Sequence, residues 1–349
     1  MSSQERLWRK LEAVPGLSTS RIEWAALLGD ELTLLGPFLR PTGAVAASYP
    51  CPNRAKPGCT HNVVEHGPDD FVGVCPEGCP TVALRRSDIL IYEVDLGRLG
   101  AATATALGAV PDDQGFADAA LTHRVGTFSP TAGYRFPVYL TVQIEPEALL
   151  HALEKLASRH GEPFILVAPT HDPRSPTADA LIETKRVCFL ALAEGFQLGS
   201  DGRLCAAAPA RDALARFSES ILPSREDDSG MAFFRTPAGA TWENVSIKFK
   251  DGHTVSVRVG KVTGVYHYSE MGMADRRNAD PTRQWALLYS FAKGHGTLDW
   301  NHPDASPRNQ KRRESLASDF RDFFRIDGDP IEHDAESKGW RTRFAVEPN

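Results

Sequence analysis

The sequence predicts a multidomain α/β protein with a cysteine-rich module ahead of the α/β part and an α+β segment at its C-terminus. Three observations predict it. Apolar runs alternate with amphipathic stretches between residues 87 and 217, the pattern of a parallel sheet covered by helices. Four of the six cysteines fall between Cys51 and Cys79. Beyond residue 240 the pattern changes to two-residue alternation and then to helical periodicity. The expected boundaries are 1–47 for N-terminal helices, 48–86 for the cysteine module, 87–217 for the α/β domain, 218–240 for a linker and 241–349 for the C-terminal domain.

At 349 residues, 42% hydrophobic and 24% charged, the chain is long enough for several cores and ordinary in composition. It has no apolar run of membrane-spanning length and no apolar leader behind "MSSQERLWRKLEAV", so a cytoplasmic protein with no membrane partner is expected. The formal charge of -6 is uneven: residues 1–241 carry -7 and the remainder about +1. That balance argues against a non-specific nucleic-acid coat and leaves room for a local basic surface.

The N-terminal helix places Leu7, Leu11 and Val14 on one face. A second helix is signalled by Ser20 and Glu23, spaced as a capping box ahead of Trp24, Leu27 and Leu28. In the α/β part, strands are expected at 88–95, 138–144, 164–168 and 187–193, with helices at 145–160 and 175–186. A loop rich in Asp, Gly, Thr and Pro is expected over 109–135. The stretch 218–240 is polar and broken by Pro and Gly. After it, "TWENVSIKFKDGHTVSVRVGKVTGVYHY" reads as an antiparallel meander of about three strands. A helix then begins with Asp280 as N-cap and Pro281 at its first position, ending at Gly294 and Gly296.

The cysteine spacing points to a metal. A tetrahedral zinc site needs four soft ligands delivered by two short loops. "YPCPNRAKPGCTH" and "VCPEGCP" supply Cys51, Cys59, Cys75 and Cys79. Three residues separate the second pair, within the usual spacing, but seven separate the first, so His61 or His66 stand as alternates to Cys59. The module resembles a zinc ribbon. Unbonded thiols or a disulfide are the plainer alternative. Four thiolates leave no open position for water, so the expected Zn2+ is structural. Cys188 and Cys205 read as core or near-core residues.

Ligands of open α/β sheets bind beyond the carboxyl ends of the strands. There the sequence places Asp95, Glu145, Thr170 and the weak catalytic candidates His171, Asp172 and Glu194. Loops at strand ends are polar in any case, and no phosphate loop, GxSxG or HExxH motif accompanies them. An enzyme is the less favoured reading.

"RNQKRRESLASDFRDFFRI" forms an amphipathic helix with Leu316, Phe320, Phe323 and Phe324 on the buried side. Lys311, Ser315, Ser318, Arg321 and Arg325 lie opposite, with Arg312 and Arg313 flanking the stripe. Long donors and small hydroxyls on one face are the mixture that base and phosphate contacts require. Solvated charge is the plainer alternative, and Glu314 and Asp322 favour it. "DPIEHDAESKGWRTRF" follows as a hairpin, with Lys338 at its tip and Arg341 and Arg343 opposite Trp340, Thr342 and Phe344.

This order of sheet, helix, amphipathic helix and basic hairpin resembles the winged-helix effector domains of OmpR/PhoB-type response regulators, with "SKGWRTRF" standing where their closing Gly-x-Gly-Tyr-x-Phe pattern lies. The resemblance covers about residues 242 to 346. It implies a recognition helix carrying Lys311, Arg312, Arg313, Ser315, Ser318, Arg321 and Arg325, and a wing carrying Lys338, Arg341 and Arg343. Between "TLDW" and Arg308 only "NHPDASP" remains, too short for the middle helix of such domains. Arg276 and Arg277 lie just before the first helix and stand as possible compensation. The expectation is an α/β protein with a small zinc-binding module and a C-terminal winged helix, acting as a regulator on double-stranded DNA, with a homodimer as one state compatible with that role. The alternatives are a scaffold subunit of a bacterial assembly that binds protein, and a metal-assisted hydrolase.

Overall fold

A computed structural model describes residues 3–52, 56, 58–115, 118–222, 232–275, 277–299, 301–334 and 338–349. The protein is a mixed α/β chain whose packing divides it into two units. One comprises Met1–Phe128 with Phe136–Ser220, the other Ser129–Arg135 with Ile221–Asn349.

The first unit opens with α1 (Ser3–Glu12), β1 (Ser18–Ser20), α2 (Arg21–Leu28) and α3 (Leu32–Leu35). The expected capping box is present: Ser20 accepts from the Glu23 backbone N–H, and the Glu23 carboxylate accepts in return from Ser20. β2 (Leu39–Val45) leads to the cysteine module, a four-stranded antiparallel sheet of β3 (Ser48–Pro50), β4 (Thr60–Gly67), β5 (Asp70–Val74) and β6 (Val82–Leu84).

The run expected as a single strand at 88–95 divides into α4 (Arg86–Ile89) and β7 (Leu90–Val94). β7 pairs antiparallel with β1 and β2, outside the main sheet. α5 (Leu96–Ala106) follows, with Asp95 as its N-cap accepting from Arg98 N–H at 2.9 Å.

The main sheet has the order β12-β11-β10-β9-β8. β10 (Phe136–Thr141), β11 (Ile165–Ala168) and β12 (Cys188–Ala191) run parallel, joined by α6 (Pro146–Arg159) and α7 (Pro176–Thr184). The other two strands correct the expectation of a loop over 109–135. β8 (Val110–Gly115) and β9 (Thr122–Phe128) pair antiparallel with one another, and β9 with β10, so the sheet is mixed. Their polar composition has a positional reason. β8 is an edge strand, where Pro111 costs no ladder bond, and its register shifts between Pro111 and Gln114. Leu149, Leu153 and Leu156 of α6 are fully buried, as the stripe predicts. α8 (Leu192–Gly195), β13 (Phe196–Leu198), β14 (Leu204–Ala206) and α9 (Ala208–Ile221) complete the unit.

α9 takes in the first residues of the stretch expected as a linker, and residues 223–231 lie outside the described set. Ala232, Phe233 and Phe234 are buried in the second unit, Phe234 completely. That unit builds the expected meander from β15 (Val245–Phe249), β16 (Thr254–Val259) and β17 (Val262–His267). α10 (Arg283–Lys293) starts two residues later than expected, with Thr282 at its N-cap, because Pro281 bridges Ala274 and Asp280 bonds Asn278. After β18 (Thr297–Leu298) the described residues of 299–308 contain no helix. α11 (Asn309–Phe324) follows, then β19 (Ile331–Asp334) and β20 (Gly339–Thr342), which form a sheet with β18. β21 (Ala345–Glu347) returns parallel to β15.

The core of this unit is aromatic. Leu316, Phe320, Phe323 and Phe324 of α11 are all fully buried. Phe324 meets Phe234, Trp242, Phe320 and Phe323 with ring centroids 4.9–5.8 Å apart.

Candidate metal centre and basic helix face

Cys51, Cys59 and Cys79 converge beside the ends of the module strands, and Cys75 adjoins Cys59 without belonging to that group of three. Cys51 N–H donates to Cys59 O at 3.0 Å, which sets the end of β3 against the start of β4. Cys75 follows β5 directly, and the turn to Cys79 closes with Gly78 N–H donating to Cys75 O at 3.3 Å. The ligand atoms of Cys51, Cys59 and Cys79 all lie within 4.8 Å of one another, close enough to hold a metal ion. Cys75 Sγ lies 3.3 Å from Cys59 Sγ.

The Cys59 and Cys75 thiols are shifted in opposite directions. Burial raises Cys75, but the backbone N–H groups of Cys79 and Glu77 and the Cys59 thiol outweigh it and hold Cys75 at about 7. Cys59 is pushed well up by its bond to Cys75 and by burial. A sulfur cradled by backbone N–H groups is already prepared to be a thiolate ligand, so the donor set fits a soft divalent ion. Lys56 ties the two cysteine loops together through Glu77 O at 3.3 Å and its carboxylate at 3.7 Å.

The alternate ligands separate. His66 is exposed. His61 is fully buried, but its Nε2 is bonded to Pro80 O at 3.1 Å and it is not in the group of converging thiols. Cys188 is buried as expected and its thiol is pushed up to about 12 by burial. Cys205 is exposed, contrary to expectation, because it faces outward from the short strand β14.

The basic residues of the second unit fall into two groups. Lys311, Ser318 and Arg321 are exposed on α11, and Lys338 and Arg341 are exposed on the hairpin. Among the described residues none of these four cations has an ion-pair partner. The others are engaged. Arg313 donates to Asp329 and to Ile331 O, at 2.8 and 2.9 Å, and stacks on Trp340 at 4.7 Å. Arg343 donates to Glu243 at 2.7 Å, and Arg312 to Asn309 at 3.1 Å. Ser315 donates to Lys311 O. Arg325 caps α11 in a left-handed conformation with its guanidinium over Tyr134 and Phe233. Arg277 N–H donates to Asp275, and Arg276 lies outside the described residues.

At the strand ends His171 lies 3.5 Å from Glu194 and accepts from Arg174 at 3.0 Å, while Asp172 pairs with Arg9 at 2.8 Å. Burial lowers the His171 pKa. The group missed by sequence reasoning is Glu12, 7% exposed, which accepts from Thr170 N–H at 3.1 Å and from its hydroxyl at 2.7 Å. Its signal was Trp8 one turn earlier, also fully buried, which shows that the inward face of α1 is wider than the leucine stripe.

Burial raises the Glu12 pKa to about 7, only partly offset by the Thr170 bonds. A raised acid favours the folded state below its unfolded value, near 4.5, and that contribution is lost as pH rises through about 7. Glu12→Gln, whose amide can accept from the Thr170 N–H and donate to its hydroxyl, is expected to remove this dependence. Urea denaturation at pH 5 and pH 8 should show a difference between the two pH values smaller by about 1–3 kcal/mol than in the wild type. An unchanged difference would assign the pH dependence to other groups.

Comparisons with protein-family models, curated proteins and solved structures found no match to this chain. No described helix is long and apolar enough to cross a membrane.

Proposed function

We propose that the chain is a DNA-binding regulator that reads duplex DNA with α11 and the β19–β20 hairpin. The observation that carries this reading is the set of exposed, unpaired cations Lys311, Arg321, Lys338 and Arg341 on two consecutive elements. Arg313 and Arg343 brace the hairpin from within, and so support its position rather than touch phosphate. The order of meander, α10, β18, α11 and hairpin resembles a winged helix without its middle helix, which supports this reading. In this reading the ion held by Cys51, Cys59, Cys75 and Cys79 is a structural zinc, the first unit senses or dimerises, and the protein works in the reducing cytoplasm.

A protein partner is the second reading. Glu314 and Asp322 are exposed on the same helix face, and carboxylates repel phosphate.

Fluorescence anisotropy on a selected genomic fragment separates contact types. Arg321→Ala is expected to weaken specific binding by ~1–3 kcal/mol and relax specificity, and Lys338→Ala to weaken all sequences alike and reduce the salt slope by about 1. Wild-type binding by both variants would exclude this helix and hairpin as the interface.

A further inference from the structure

We propose that His61 is the positioning residue of the cysteine centre, holding Cys79 in place through the Pro80 carbonyl. The inference rests on the metal-centre reading above and assigns a role that the thiols alone do not explain.

Cys59 and His61 are two residues apart around the start of β4 and so share one face. Tyr49 pairs with His61 and Asn62 with Val74, so His61 stands on the strand flanked by β3 and β5. The ring is completely buried. Its Nε2 lies 3.1 Å from Pro80 O, and a carbonyl only accepts, so Nε2 carries the hydrogen.

Nδ1 is then an acceptor, and among the described residues it has no partner. A leucine would fill the same space without a stranded lone pair. The space itself is cut to the ring: a Cβ at Gly73 would stand 3.2 Å from His61 Cβ and 3.6 Å from its Cδ2. What the imidazole adds is its donor to Pro80.

That donor matters because the thiols are not anchored alike. Cys51, Cys59 and Cys75 adjoin paired strands. Cys79 lies in a segment without regular structure that rejoins the sheet only at Val82. Pro80 follows it immediately, so the His61 bond fixes the backbone where Cys79 departs from the turn. Groups hydrogen-bonded to a ligand commonly govern metal affinity 10–100-fold; His61 acts one residue further out, on the backbone of the residue that follows Cys79.

The test uses the full chain loaded with zinc and measures metal release to an excess of chromogenic chelator. His61→Leu is expected to release zinc about 10–100-fold faster than wild type. His61→Gln, whose amide N–H reaches the place of Nε2, should stay within a few-fold of wild type. If the leucine variant fails to fold, His61→Asn, whose amide falls short of Pro80, replaces it. Leucine at the wild-type rate, or glutamine no better than leucine, would overturn the proposal. So would a nitrogen ligand in the X-ray absorption spectrum of the wild-type zinc site, which would make His61 a ligand. Wild-type protein that binds no zinc would remove the centre itself, a result distinct from any ranking of the variants.

Discussion

Cys59→Ser is expected to empty the metal centre and unfold the strands around it. The four strands β3–β6 enclose a small apolar cluster in which Ala46, Phe71, Leu84 and Ile89 are buried, and Val64 and Val74 stay exposed. Such a cluster is too small to offset the ordering of its own chain, the situation in which small modules rely on a metal. Structural zinc in isolated fingers contributes on the order of 10 kcal/mol at neutral pH. Cys59 is the ligand whose loss is felt most widely, since its thiol bonds those of Cys75, Cys51 and Cys79. Elemental analysis should fall from about one metal per chain to well below that, and limited proteolysis should cut between residues 46 and 84. A variant protected like wild type would mean that the module stands without metal. Because the thiols must lose their protons to bind, metal occupancy should fall as pH is lowered, in the same direction as for any thiolate site.

Phe324→Ala should destabilise the second unit by about 3–5 kcal/mol. The ring is fully buried and contacts four other fully buried aromatic side chains, Phe320 and Phe323 on the same helix and Phe234 and Trp242 on other segments. Relaxation around the cavity is restricted because Trp242 is itself fixed by its indole N–H donating to Asp327 O at 3.1 Å. The comparison is Arg321→Ala, on the exposed side of the same helix, which should change stability by no more than about 0.5 kcal/mol. Chemical denaturation followed by tryptophan fluorescence measures both. Equal effects would mean that α11 does not bury the face assigned to it.

Periodicity made α11 legible in the sequence, since one polar-to-apolar swap every three or four residues leaves little choice of buried face. The capping box at Ser20 and the convergence of the cysteines were legible for similarly local reasons. Pairing was not. β9 reads "THRVGTF", with few apolar residues, and becomes a strand because β8 and β10 flank it. The strand expected at 88–95 as part of the α/β domain forms β7, which joins β1 and β2, a choice between distant partners that a local pattern does not encode. Charge had the same limit. Nothing in the sequence distinguishes Arg313, stacked on Trp340, or Arg325, held over two rings, from the exposed Arg321. The leucine stripe of α1 did not mark Glu12, which shares the inward face with Trp8 one turn before it.

The central claim is DNA binding by α11 and its hairpin. Its most direct measurement is the affinity of metal-loaded, full-length protein for a library of genomic fragments across a range of salt. The retained fragments should share a sequence, and log affinity should fall linearly with log salt with a slope of about −3, for three phosphate contacts. Retention of no fragment even at low salt would contradict the claim and leave the protein-binding reading of the same helix.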